Sequence, residues 1–208
     1  MMNKNNSRGI WTFLSHSNKD YEKAVNSESG TFYINENGIV LRFEPSSYNL
    51  FIEEKTTIRA NYTYDTHKTI RTFIVPEGVK GFASGFMRGI RVVERFELPE
   101  SLSSIGKGCF DNSILPEVVI PQGVQELGFF AFGHSYIGTL QLPTTIQSPY
   151  GRQFKDSHIG VLRLPKEWRN HVALGEHNEL WFDNEWLDND KYGYLGWPST
   201  KIENLEFY

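Results

Sequence analysis

LPESLSSIGKGCFDNS at residues 98–113 and IPQGVQELGFFAFGHS at residues 120–135 are two copies of one pattern, displaced by 22 residues. Each copy begins with an aliphatic residue and a proline and ends with a serine. Outward from these copies, the proline recurs at intervals of 22 or 23 residues, at Pro76, Pro99, Pro121, Pro143 and Pro165. A fixed period of this length predicts a repeat protein in which each period forms one rung of a solenoid.

Each proline is preceded by the pattern apolar-x-x-apolar-x-apolar. The last two apolar residues alternate with period two, which predicts a short strand with one buried face, and the proline ends the strand because it has no N–H to donate. The expected buried positions are Ile70, Phe73, Val75; Val93, Phe96, Leu98; Leu115, Val118, Ile120; Ile137, Leu140, Leu142; and Ile159, Leu162, Leu164. One rung alone could not bury these side chains, so we expect stacked rungs to share one core.

The residues after each proline repeat as well. A phenylalanine follows Pro99, Pro121 and Pro143 by eleven residues, and in the first unit Phe86 stands one residue early. Gly106 and Gly128 stand seven residues after their prolines. We expect a tight bend there, with backbone angles that only glycine adopts cheaply. Tyr150 stands at this position in the fourth unit, which predicts a distorted bend.

Three serines and the single cysteine also fit the repeat. Ser113, Ser135 and Ser157 each precede a strand, and we expect their hydroxyls to bond backbone groups in the bends rather than to act as nucleophiles. Cys109 stands where the next unit has Ala131, so it is expected to be a small buried residue.

These units resemble the BspA-like, or Treponema-type, leucine-rich repeats, whose unit reads roughly I-P-x-x-V-x-x-I-G-x-x-A-F-x-x-C. The resemblance covers residues 70–165. It implies a β-rich chain of the α/β solenoid class, namely a short right-handed leucine-rich-repeat solenoid with one parallel strand per rung on a concave face. It also implies adhesion or protein-protein interaction rather than catalysis.

The flanks are expected to cap the two ends of the stack. Residues 1–69 are predicted to be an N-terminal segment and a β-rich cap, with a hairpin over residues 30–43 that packs near Ile70. The solenoid is predicted over residues 70–208, with regular units to residue 165 and an aromatic cap beyond. The strand pattern returns at residues 177–182 and 202–207, which predicts two irregular rungs, with Tyr208 close to the last one.

The aromatic cap has an alternative interpretation. Its aromatic side chains are Trp181, Trp186, Tyr192, Tyr194 and Trp197. The main expectation is that they cover the end of the core. Exposed and coplanar tryptophans would instead indicate a carbohydrate-binding or adhesin-type surface protein.

The sequence predicts no enzyme, no metal site and no cofactor. The six histidines are dispersed, and a single cysteine cannot form a multi-cysteine zinc site. Asp188, Asp190 and Gly193 resemble the start of a calcium loop, but Tyr192 and Ser199 occupy ligand positions. No phosphate loop, dinucleotide fingerprint or nucleophile elbow occurs.

A second resemblance lies near the N-terminus. Residues 11–22, WTFLSHSNKDYE, resemble the opening of a bacterial TIR domain, with Ser15, Ser17 and Asp20 in its loop. A remnant of a NAD hydrolase is therefore a further, less favoured alternative. The βα alternation that such a domain needs does not follow.

Charge and hydropathy limit the partners. The formal net charge is -4 with no basic run, so nucleic acid is not an expected partner. No segment approaches the roughly 20 apolar residues of a membrane-spanning helix, and residues 1–17 lack the apolar core of a signal peptide. A cytoplasmic location is expected, with the cell surface or secretion as the alternative if a leader precedes this sequence.

Strand positions four and two before each proline are predicted to point outward and to form the binding face. The candidate site residues are Ile74, Arg95, Glu97, Glu117, Val119, Gln141, Val161 and Arg163. Apolar side chains within a charged rim suit contact with another protein or a peptide. The sequence therefore predicts a non-catalytic protein-protein interaction module that acts through its concave strand face.

Overall fold

The computed structural model describes residues 13–14, 23–49, 68–146, 152–182, 196–197 and 199–208. These residues form a 3-10 helix at Lys166–Trp168 and the following strands: β1 (Phe13–Leu14), β2 (Lys23–Ser27), β3 (Gly30–Ile34), β4 (Ile39–Pro45), β5 (Lys68–Ile74), β6 (Gly81–Phe82), β7 (Ile90–Glu97), β8 (Ser104–Ile105), β9 (Ile114–Val119), β10 (Glu126–Leu127), β11 (Tyr136–Gln141), β12 (His158–Leu164), β13 (Val172–Leu174), β14 (Leu180–Phe182), β15 (Gly196–Trp197) and β16 (Lys201–Phe207). The predicted β-rich solenoid is confirmed.

One parallel sheet carries the strand of every rung, in the order β5, β7, β9, β11, β12, β16. Equivalent apolar residues pair across it, so that Leu115, Ile137, Ile159 and Ile202 form one buried row. Residues 202–207 are thus a rung, as predicted. Tyr208 follows in the place of the proline, and its N–H donates to the Leu164 carbonyl at 3.0 Å.

A second sheet joins the N-terminal residues to the solenoid. Short parallel strands β6, β8 and β10 continue through β4 into the antiparallel strands β3 and β2, and β1 also pairs with β4. The predicted hairpin is present as β3 and β4. Phe32 and Phe43 bring their rings within 5.4 and 5.3 Å of the Phe73 ring, so the hairpin packs on the first rung.

Two buried side chains from the N-terminal segment form hydrogen bonds with backbone groups on the outer edge of β5. The Asn49 amide donates to the Thr72 carbonyl at 2.7 Å, and its oxygen accepts from the Thr72 N–H at 2.7 Å. The Ser29 hydroxyl accepts from the Ile74 N–H at 3.0 Å and donates to the Ile74 carbonyl at 3.1 Å. These contacts close an edge that would otherwise be open to strand pairing.

The first unit differs from the sequence prediction in two positions. The spacing of 23 residues between Pro76 and Pro99 contains one extra residue, which forms a bulge in β7 where the register with β5 shifts. As a result, Val92 is buried and Val93 is 41% exposed. The expectation that Val93 is a core residue was wrong. In the bend of this unit, Met87 rather than Phe86 occupies the phenylalanine position, because its N–H donates to the Cys109 carbonyl as the Phe110 N–H does to Ala131.

The reason given for Gly106 and Gly128 was also wrong, because neither residue has a positive φ. A Cβ on Gly106 would lie 2.6 Å from the Phe82 carbonyl oxygen, and one on Gly128 would lie 2.5 Å from the Lys107 nitrogen. Close stacking of neighbouring rungs therefore requires glycine here. One set of left-handed residues lies elsewhere, thirteen after each proline, at Gly89, Asn112, His134, Asp156 and Asn178. These residue types tolerate that conformation.

Residues 177–182 do not form a rung, which corrects the prediction. β14 pairs instead with β13 and β15 in a small antiparallel sheet. Leu180 is fully buried and belongs to the main core, so this sheet packs against the solenoid. Within the part of the chain that the structure describes, no helix has the length and apolarity to cross a membrane.

Candidate binding face

The outward side of the six-stranded sheet, called the strand face below, holds all eight candidate residues. They lie in two rows, because Thr139 pairs with Glu117 and Val161, while Gln141 pairs with Val119 and Arg163. On the first two strands, Arg95 pairs with Thr72 and Glu97 pairs with Ile74. Ile74, Gln141, Val161 and Arg163 are half-buried, whereas Arg95, Glu97, Glu117 and Val119 are exposed.

Each of the two candidate arginines lies between two glutamates. Arg95 contacts Glu97 at 2.8 Å and Glu28 at 2.9 Å, and the hydrogen bond that Arg95 donates to Glu97 raises the pKa of Arg95. Arg163 contacts Glu206 at 2.9 Å and Glu117 at 3.3 Å. Exposed pairs of this kind add little to stability, but they hold the side chains in defined positions.

Two of these partners were missed by the sequence analysis. Glu28 lies between β2 and β3, and only the folded hairpin brings it to Arg95. Glu206 stands in the last rung, where it pairs in register with Arg163. The weak strand pattern of residues 202–207 was sufficient to place Glu206 beside Arg163.

Aromatic and charged side chains continue the strand face beside these rows. The Tyr136 and His158 rings stack with centroids 5.0 Å apart, and His158 Nε2 lies 2.7 Å from Glu203 Oε1. Tyr136 is 45% exposed. The stacked rings cover part of each other's faces, so the outer ring edges are what a partner meets.

The hydroxyls of the three serines bond backbone groups, as predicted, and they also form a buried ladder that links neighbouring rungs. The Ser135 hydroxyl donates to the carbonyls of Phe110 and Gly133 at 2.8 and 2.9 Å and accepts from the Ser113 N–H at 3.0 Å. The Ser157 hydroxyl donates to Phe132 at 2.6 Å. Thr200 extends the ladder by donating to Phe154 at 2.6 Å, and its place two residues before Ile202 could have revealed it.

Cys109 is fully buried, as predicted, and burial raises the pKa of its thiol. A thiol in this setting is a poor nucleophile. The described residues contain no group of three or more His, Cys, Asp or Glu side chains arranged to hold a metal ion.

Several candidate residues lie outside the described part of the chain, namely Ser15, Ser17 and Asp20 of the TIR-like segment, Tyr150 of the fourth bend, and Trp186, Asp188, Asp190, Tyr192, Gly193 and Tyr194 of the aromatic stretch. Trp181 is described and is 41% exposed, with its indole N–H donating to Glu179 at 3.2 Å. Hydrogen bonds from the backbone and from Trp181 lower the pKa of Glu179.

A family model described as the BspA type leucine rich repeat region matches residues 49–171 in six copies. The chain belongs to the BspA-type leucine-rich repeat family. The resemblance inferred from the repeat units is thereby confirmed. The matched range begins at Asn49, whose side chain bonds the outer edge of β5. BspA-type solenoids are typically non-catalytic, and membership favours a protein-interaction or adhesin-like role.

No curated protein and no solved structure matches this BspA-type chain. Its function must therefore be argued from its own surfaces.

Proposed function

We propose that this BspA-type chain is a non-catalytic interaction module that recognises another protein or a peptide through its strand face. The observation that carries the proposal is the exposure of apolar side chains on the outward side of a sheet that also carries charged side chains there. Val119 is 43% exposed, and Val93 and Tyr136 are exposed to a similar degree. Of the seven large hydrophobic side chains exposed among the described residues, these three belong to this one sheet.

The dimensions of the strand face support this proposal. Parallel strands lie about 4.8 Å apart, so six strands span roughly 25 Å, which is comparable to one side of an ordinary protein interface. Arg95 and Arg163 are already held by carboxylates, so a partner meets charges in fixed positions. Preorganised charges around apolar anchors favour specific recognition.

The test compares partner capture by three forms of the full chain. The strand-face variant is Arg95→Glu with Arg163→Glu, and the control is Lys23→Glu with Lys166→Glu, which changes the net charge equally at two exposed residues elsewhere. Proteins crosslinked from the native source are quantified by mass spectrometry. We expect a partner captured by the wild type and the control to fall about tenfold with the strand-face variant.

Equal capture by the strand-face variant would contradict the role of this face. A Val119→Ser variant, which removes only an exposed apolar anchor, should weaken the same partner without altering the charge. Circular dichroism of each variant confirms that the sheet has formed.

A second candidate function is carbohydrate binding, which is favoured by one observation, the 41% exposure of Trp181. An exposed indole can stack on a sugar ring. A glycan array probed with wild type and Trp181→Ala tests it, since binding that survives the substitution would remove Trp181 from the site. The same array should show no dependence on Arg95 or Arg163.

A further inference from the structure

The bends between successive strands of the six-stranded sheet form a second surface, which is separate from the strand face. This turn face consists of residues 84–89, 107–112, 129–134 and 152–156. Backbone hydrogen bonds stack its segments, among them Gly108 N–H to Phe129 O at 2.9 Å and Phe130 N–H to Arg152 O at 2.8 Å. The surface is therefore as ordered from rung to rung as a sheet.

An aromatic pair interrupts the polar sequence of the turn face. Phe129 and Phe130 stand where the preceding unit has Lys107 and Gly108. Phe129 is 44% exposed, so its ring is not required by the core. An exposed aromatic side chain in place of a lysine is an uncommon choice for a solvated bend.

Phe130 holds a backbone conformation that favours glycine. Its φ is 56°, and the equivalent Gly85 and Gly108 have φ of 68° and 61°. A left-handed conformation costs a residue with a side chain roughly 1–2 kcal/mol, so glycine would build this bend at lower cost. Strain that the fold does not require points to a function for the side chain.

The Phe130 ring is fixed in place by its neighbours. It stacks on His134 with ring centroids 5.7 Å apart and planes at 10°, and His134 Nδ1 lies 2.7 Å from Asp111 Oδ1. A side chain fixed before binding loses less conformational entropy when a partner arrives. The Phe130 ring is therefore preorganised, and we take it together with the exposed Phe129 as the apolar anchor.

The charge around this anchor is mainly positive. The exposed basic residues of the turn face are Arg88, Lys107, Arg152 and Lys155, and its acidic residues are Asp111 and Asp156. Asp111 is buried and contacts Arg88 at 2.9 Å. The Arg152 guanidinium carbon lies 5.8 Å from the centroid of the Phe129 ring. Asp156 lies 4.0 Å from Lys155. The turn face thus has four cations and two carboxylates, whereas the whole chain has a net charge of -4.

We propose that the turn face docks an acidic segment of a partner protein, with Phe129 and Phe130 as the apolar anchor and Arg152, Lys155 and Lys107 as the carboxylate contacts. The anchor accepts one apolar side chain of the segment, and the cations complement its flanking aspartates or glutamates. This site is separate from the strand face and does not depend on the function proposed for that face.

The probes are short fluorescein-labelled peptides of aspartate and glutamate that contain a single leucine, phenylalanine or tryptophan. Fluorescence anisotropy of the full chain measures their binding at low and at physiological salt. The anchor variant, Phe129→Lys with Phe130→Gly, copies the bend of the preceding unit and should fold. It adds a positive charge, so loss of binding identifies the aromatic anchor. The charge variant is Arg152→Glu with Lys155→Glu, and its control is Lys23→Glu with Lys166→Glu.

We expect the wild type and the control to bind at least one acidic peptide, and both turn-face variants to bind it about tenfold more weakly. The proposal is overturned if the wild type binds no acidic peptide, if the anchor variant binds as well as the wild type, or if the control loses as much affinity as the charge variant. Binding to phosphatidylserine vesicles without binding to any peptide would assign the surface to membranes and would also overturn it.

Discussion

At the scale of single residues, contact between neighbouring rungs decides where glycine is required. A Cβ on Gly138 would lie 2.3 Å from the Pro116 carbonyl oxygen, and one on Gly160 would lie 2.6 Å from the Gly138 oxygen. Neither glycine has a positive φ. The recurrence of glycine is visible in a sequence, but its cause lies in a different rung and was assigned wrongly for Gly106 and Gly128.

Gly138→Ala should therefore lower stability by roughly 1–3 kcal/mol, because the backbone of a neighbouring strand must move to admit the methyl group. Thermal denaturation followed by circular dichroism measures the change. Gly175→Ala is the control, since its new Cβ would meet side-chain atoms, those of Glu179 and Trp181, rather than the backbone of a neighbouring strand. Equal stability of the two variants would show that the strands yield more easily than the structure indicates.

Ser135→Ala should cost a similar amount for a different reason. The substitution leaves the buried N–H of Ser113 and the Phe110 carbonyl without the hydroxyl that joins them, and an unsatisfied buried group costs about 1–3 kcal/mol. Urea denaturation of Ser135→Ala is compared with that of Ser103→Ala, whose exposed hydroxyl donates only to Lys80 O. The first variant should unfold at clearly lower urea, and coincident curves would count against a structural role for the ladder.

At the scale of elements, strand positions were predictable wherever the repeat is regular, because alternation of period two follows directly from strand geometry. The 23-residue spacing between Pro76 and Pro99 revealed an extra residue but not its place. Phe86 suggested an irregular bend, whereas the structure places the extra residue in β7. Both arrangements bury an apolar residue, so the pattern alone could not separate them.

The edge of β5 gives a prediction for this scale. Asn49→Ala removes four hydrogen bonds at once, three of them to Thr72, and should open that edge. Hydrogen-deuterium exchange is expected to show faster exchange in β5 while β12 keeps its protection. Asn26→Ala, which removes an exposed contact to Thr31, serves as the control. Unchanged protection of β5 would mean that the strand pairing to β7 is sufficient.

At the scale of the whole molecule, one continuous core runs from Phe32 in the hairpin to Ile202 in the last rung. Stacking rather than sequence proximity holds this core together, since the Phe110, Phe132 and Phe154 rings lie 5.3 and 5.6 Å apart in succession. The candidate rows of the strand face were predictable for the same reason. Glu28 was harder to predict as a partner, because it lies in the turn between β2 and β3 and not in a repeat. Glu206 lies in the last rung, where the strand pattern is weak.

Removal of the last rung should therefore affect the entire stack. A chain shortened to end at Ser199 exposes one side of Ile159 and Leu162, so we expect a lower melting temperature and binding of the dye ANS. Removal of Tyr208 alone is the control, since it takes away the contacts to Leu164, Lys166 and Leu142 but leaves β16 in place. A shortened chain that melts like the control would show that the rungs are energetically independent.

The small antiparallel sheet of β13, β14 and β15 lies between β12 and β16 in the sequence, yet β12 and β16 pair without a shift in register. The segment after β12 thus accommodates a long insertion, because the next rung strand, β16, still pairs directly with β12. This segment is therefore a suitable insertion site for a foreign sequence. An epitope inserted into this segment, outside the buried Leu180, should therefore leave the pairing of β12 with β16 intact.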